Sequence, residues 1–121
     1  MKIVNKFKNA FIGIALGFKD SSIRLQWLFF ILINLVCILL KVTIQDLVVV
    51  WLVSGFVIVS EMFNTCIERL ADVVEPNYDE KIRYIKDLSA GAVLISCLFA
   101  AIIGCTLLIK YIGGLLCTMM F

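Results

Sequence analysis

Glu61-Met62-Phe63-Asn64-Thr65-Cys66-Ile67-Glu68, with Asp72 one turn further on, closes an apolar run that begins at Leu47. In a helix, Glu61, Asn64/Thr65, Glu68 and Asp72 stand at i, i+3/i+4, i+7 and i+11, which is one face. Met62, Phe63, Ile67 and Leu70 flank that face with apolar side chains. From Leu47 to Asp72 the run is long enough to cross a bilayer as a helix. Carboxylates inside such a helix are costly to keep, so by default they mark function.

The rest of the composition agrees with a membrane setting. The chain has 121 residues, 63% of them hydrophobic, and a single proline; its mean hydropathy is +1.08. A soluble domain is about half apolar. An excess of this size, gathered into three blocks, reads as an all-α integral membrane protein. The net charge of +2 gives no polybasic surface for nucleic acid. The five cysteines (Cys37, Cys66, Cys97, Cys105 and Cys117) lie in apolar context without a C-x-x-C pair and read as small buried hydrophobes. There is no histidine. That excludes histidine as a general base, Ser-His-Asp and Cys-His nucleophiles, and the common zinc sites.

Upstream, residues 1–18 form an amphipathic helix. Ile3, Phe7, Phe11, Ile14 and Phe18 recur every three or four positions, with Lys2, Asn5, Lys6 and Asn9 on the other side. Such a helix is suited to lying in the membrane interface. Lys19 to Arg24 is a polar hinge in which Asp20 or Ser21 is placed to cap the next helix. A first span is expected over 23–41, interrupted only by Gln26 and Asn34, and a second over 47–72, after a short turn. Pro76 ends or kinks the second helix. The charged segment from Glu75 to Asp87 leads to a third span over 87–110. Along that span Ala92, Ser96, Ala100 and Gly104 repeat every fourth residue, a seam for close helix packing. The tail after Lys110 carries no readable feature.

Basic residues set the expected topology. Lys2, Lys6, Lys8, Lys19 and Arg24 precede the first span, and Arg69, Lys81, Arg83 and Lys86 lie between the second and third; only Lys41 and Lys110 lie on the other side. Nine against two places the N-terminus and the 69–87 segment in the cytoplasm and the C-terminus outside. The polar face of the second span therefore opens toward the compartment that holds nucleotides. Glu61 and Glu68 stand about 10 Å apart along the helix, which favours separate roles. Glu68, near water, suits a magnesium ligand, and Glu61, deeper, suits acceptance of a hydroxyl proton. Lys86 and Asp87, where the third helix starts, are placed to face a phosphate and its metal. On the residues alone, the same carboxylates equally line an ion or proton path in a non-enzymatic membrane subunit, or pair with Arg69, Lys86 or Arg24. No Walker motif or soluble-kinase signature is present.

The pattern Glu61-x-x-Asn64-Thr65-x-x-Glu68-x-x-x-Asp72, followed by Lys86-Asp87 and Ser89-Ala90-Gly91-Ala92-Val93, resembles the prokaryotic diacylglycerol kinase / undecaprenol kinase family. The likeness covers most of the chain. It implies a bacterial inner or plasma membrane enzyme that works as a homotrimer with shared active sites. Such an enzyme transfers the γ-phosphate of ATP, with Mg2+, to the hydroxyl of a membrane lipid. Carried over by resemblance, Glu61 is the general base, Asn64 an active-site neighbour, and Glu68 a metal ligand that also meets the nucleotide. Lys86, Asp87, Asn77, Tyr78 and Asp79 are nucleotide contacts. The family's upstream metal-holding glutamate, four or five positions before an arginine, corresponds to Asp20 before Arg24, one methylene shorter. Asn9, Lys6 and Asp72 complete the candidates. Cys66 stands where the family usually has alanine, a small packing position. Diacylglycerol and undecaprenol both present a hydroxyl on an apolar body, and the 89–93 wording leans toward undecaprenol-type relatives.

Overall fold

The computed structural model describes residues 2–121 as four helices: α1 (Ile3–Gly17), α2 (Ser21–Leu39), α3 (Ile44–Val74) and α4 (Glu80–Met120). The last three are each long and apolar enough to cross a membrane. Their outward faces carry large apolar side chains such as Phe56, Phe63, Phe99 and Ile109, all exposed. That is the arrangement a membrane protein presents to lipid, where the helix also satisfies its own backbone polar groups.

Local chemistry sets the helix ends. Asp20 caps α2, accepting from the Ser22 and Ile23 amides at 3.0 and 3.4 Å. Thr43 caps α3 through the Asp46 amide at 3.3 Å, so that helix starts ahead of the expected 47. Asp79 caps α4 through the Lys81 and Ile82 amides at 2.9 and 3.1 Å. With that cap in place, the charged residues from Lys81 to Asp87 are the first turns of α4 rather than a connection. At its other end α4 continues past Lys110 to Met120, because no proline or polar cluster interrupts it. Pro76 forces Glu75 into an extended conformation (φ −145°, ψ 99°), and α3 stops at Val74.

α3 packs along α4 and, less extensively, against α2. Its buried stripe is Val50, Val57, Ile58, Glu61, Asn64 and Ala71, so the polar positions continue the apolar packing face. Opposite it, Ser96 of α4 is buried and its hydroxyl lies 2.9 Å from that of Ser60. Trp51 donates to Asn34 at 2.8 Å and ties α2 to α3. An ion pair joins α3 to α4 near each end of their contact. At one end Lys86 meets Asp72 at 2.6 Å. At the other Lys110 meets Asp46 at 2.8 Å, and the Tyr111 hydroxyl donates to Asp46 at 2.5 Å and accepts from the Thr43 amide at 3.0 Å.

The elbow between α1 and α2 returns to α3. Arg24 donates to the Phe18 and Lys19 carbonyls at 2.9 and 3.1 Å, and Phe18 stacks on Trp27 with ring centroids 5.6 Å apart. A methyl group placed on Gly17 would meet Ile23 and Met62 at 3.7 Å. The elbow therefore sits one residue away from Glu61.

Candidate active site

The end of the bundle that holds the elbow, the last turns of α3 and the first turns of α4 gathers most of the chemistry. Glu61 and Asn64 are buried in α3, at 7% and 8% exposure. Asn64 Nδ2 donates to Glu68 Oε1 at 3.4 Å, one turn on. Asn64 Oδ1 is buried and has no hydrogen-bond partner among the described residues. A buried acceptor left unpaired is expensive, and it sits beside a buried carboxylate. The charges of Asp20 and Glu68 both bear on Glu61, which places the α2 cap and the α3 carboxylates in one neighbourhood.

Asp20 holds both cap amides through Oδ1 alone, which leaves its second oxygen for another partner. Among the described residues no three cysteine or acidic groups close into a metal cluster. Two carboxylates, Asp20 and Glu68, match the needs of magnesium, which takes one or two from protein and fills its other positions with water and phosphate oxygens. The donor set fits that ion.

Lys86 and Asp87 are adjacent, yet α4 turns them apart. Lys86 reaches across to Asp72 of α3, whereas Asp87 pairs along its own helix with Arg83 at 3.1 Å. The loop 75–79, with Asp72, Ile82, Arg83 and Lys86, lines a polar cavity of about 180 Å³. Tyr78 stands exposed at its rim, the Asn77 amide donates to Glu75 at 3.0 Å, and the Asp79 carboxylate is engaged as the α4 cap. Lys6 and Asn9 lie on α1, about three and two turns before the elbow, and both are exposed.

Sequence reasoning missed two features. Asp79 was legible as a cap, since an aspartate directly precedes the periodic run that opens at Glu80. The Asp46–Lys110–Tyr111 cluster was legible only as opposite charges at the ends of two successive spans.

A family model described as prokaryotic diacylglycerol kinase matches residues 8–108. No curated protein and no solved structure matches the chain. The matched segment contains every candidate side chain from Asn9 to Asp87 and leaves Lys6 outside.

Proposed function

The chain belongs to the prokaryotic diacylglycerol kinase family, and on that premise we propose that it transfers the γ-phosphate of ATP to the hydroxyl of a membrane lipid. The observation that carries this reading is the buried Glu61–Asn64 pair beside Glu68, with Lys86 of the neighbouring helix reaching Asp72 one turn beyond Glu68. The acceptor oxygen attacks the γ-phosphorus, its proton passes to the Glu61 carboxylate, and the β,γ-bridging P–O bond breaks to release ADP. Asn64 steadies Glu68 through its amide and offers its unpaired Oδ1 to the hydroxyl beside Glu61. Lys86 faces the phosphates, and the 77–79 loop with Asp87 borders the nucleotide. Glu68 and Asp20 would hold magnesium, which neutralises phosphate charge. Phosphoryl transfer asks the protein for little beyond such positioning and neutralisation.

In this reading the N-terminus and the 69–87 segment lie in the bacterial cytoplasm, which the nine-to-two distribution of basic residues supports. Helix α1 rests on the membrane surface, and three copies assemble so that neighbouring chains complete each site. The exposed apolar faces of the single chain support that assembly. The acceptor is undecaprenol or diacylglycerol, with the Ser89–Val93 segment favouring undecaprenol. An ion pathway through the same carboxylates lacks a continuation, because Asn34 is spent on Trp51 and on the Phe30 carbonyl.

The test is ATP consumption by the purified protein in mixed micelles with magnesium, undecaprenol and diacylglycerol being supplied separately. Lipid-dependent turnover that disappears in Glu61→Gln is expected, and the ratio of the two rates names the acceptor. No turnover on either lipid by folded protein would overturn the kinase assignment for these acceptors.

A further inference from the structure

We propose that Asp72 is a positioning residue: it holds the Lys86 ammonium at the loop cavity and directs its remaining N–H donors toward nucleotide phosphate. This rests on the kinase reading of Lys86 and adds a residue whose contribution runs through that lysine.

Lys86 Nζ lies 2.6 Å from Asp72 Oδ1, and the two residues come from different helices on either side of the 75–79 connection. Both line the same cavity of about 180 Å³. A lysine carries three donors on a stem of four freely turning carbons, so by itself it is a poorly aimed charge. One bond to Asp72 removes most of that freedom and leaves two donors unused. The nearest rival on its own helix is already taken, since Asp87 is paired with Arg83. The α3 carboxylate is therefore the group that sets where the ammonium sits.

Stability does not account for the contact. The Lys86 side chain is 33% exposed and that of Asp72 65% exposed, and exposed ion pairs contribute little to folding. Its consequence is geometric. A fixed ion pair that aims a lysine at phosphate is a recurring requirement in phosphoryl transfer, met in protein kinases by a lysine–glutamate pair.

The experiment measures equilibrium binding of magnesium-ATP to the full chain in micelles, together with KM for ATP and for lipid, in the parent, Asp72→Ala, Asp72→Glu and Lys86→Ala. Asp72→Ala is expected to weaken ATP binding and raise its KM by about two- to fivefold, the reach of an exposed pair. The KM for lipid should stay unchanged, Asp72→Glu should recover most of the loss, and Asp72→Ala should add nothing in the Lys86→Ala background. Unchanged ATP binding with a lowered melting temperature would make the pair a strap between helices and overturn the proposal. Tighter ATP binding in Asp72→Ala would do the same, since the carboxylate would then compete with phosphate. A parent that binds ATP but phosphorylates neither lipid would overturn only the acceptor assignment, leaving the Asp72 comparison readable by binding. A parent that binds no ATP would overturn both.

Discussion

Lys41 is the only non-glycine residue with a positive φ, 52°, among the described residues. It closes α2 in a Schellman arrangement: its own amide donates to the Ile38 carbonyl at 3.2 Å, and the Val42 amide donates to that of Cys37 at 3.0 Å. A side chain in this region is strained where glycine is not. Lys41→Gly is therefore expected to raise stability by about 0.5–1 kcal/mol, read as a higher unfolding midpoint in detergent. An unchanged or lower midpoint would mean that the aliphatic stem of Lys41 offsets the strain. The candidate site is legible at this same scale only up to a point. The helical period alone puts Glu61, Asn64 and Glu68 on one face, and two of the three are buried on the packing stripe as that face requires. What a side chain is already engaged in is not legible from spacing. Asp20 and Asp79 both cap helices, and Asp87 answers Arg83 rather than turning with Lys86 toward α3. These uses depend on which backbone amides are orphaned at a helix start and on the rotation of about 100° between neighbouring residues.

Among the elements, the three apolar blocks are legible because lipid demands long uninterrupted helices, whereas the helix ends depend on single capping residues. The small-residue seam shows a subtler limit. A step of four residues overshoots one turn, so a row at that spacing winds around the helix by about 40° per step. Only part of the row faces α3: Ser96 is buried, Ala100 and Gly104 are half-buried, and Ala92 is exposed. At the contact, the Ser96 hydroxyl lies 2.9 Å from that of Ser60 and donates to the Val93 carbonyl at 2.7 Å. Ser96→Ala keeps the close approach and loses one interhelical hydrogen bond, a cost of about 0.6 kcal/mol in a membrane setting. Ser96→Leu forces the helices apart and is expected to cost about 1–3 kcal/mol. Melting temperatures of the two variants in the same detergent check this. A leucine variant as stable as the alanine variant would show that α3 and α4 are not held at that contact.

For the whole molecule, the two α3–α4 ion pairs give a length scale that can be set against the bilayer. From Asp46 to Asp72 α3 rises about 39 Å, and from Lys86 to Lys110 α4 rises about 36 Å, at 1.5 Å per residue. A hydrocarbon core is about 30 Å thick, and about 40–45 Å with its headgroups. Charged residues at these separations are expected near the two membrane surfaces, with the apolar length of each helix between them and Glu61, Asn64, Glu68 and Arg69 toward the Asp72 end of α3. The α4 residues after Lys110 then extend about 15 Å further, on the side opposite Asp72 and Lys86. Which surface is which follows from the basic residues alone, since the helices would pack identically in either orientation. Nine of the eleven lie on the Lys86 side, so the positive-inside rule predicts that side to be the cytoplasmic one. Cys117 is exposed in the α4 extension and Lys81 is exposed in its first turn, so the two positions report opposite surfaces. With the other four cysteines changed to alanine, Cys117 should react with a membrane-impermeant maleimide in intact spheroplasts. A cysteine placed at position 81, with Cys117 also replaced, should react only after lysis. The reverse pattern would put Glu61, Glu68 and Lys86 at the surface away from cellular ATP, and would count against the kinase assignment more severely than a missing activity on any one lipid.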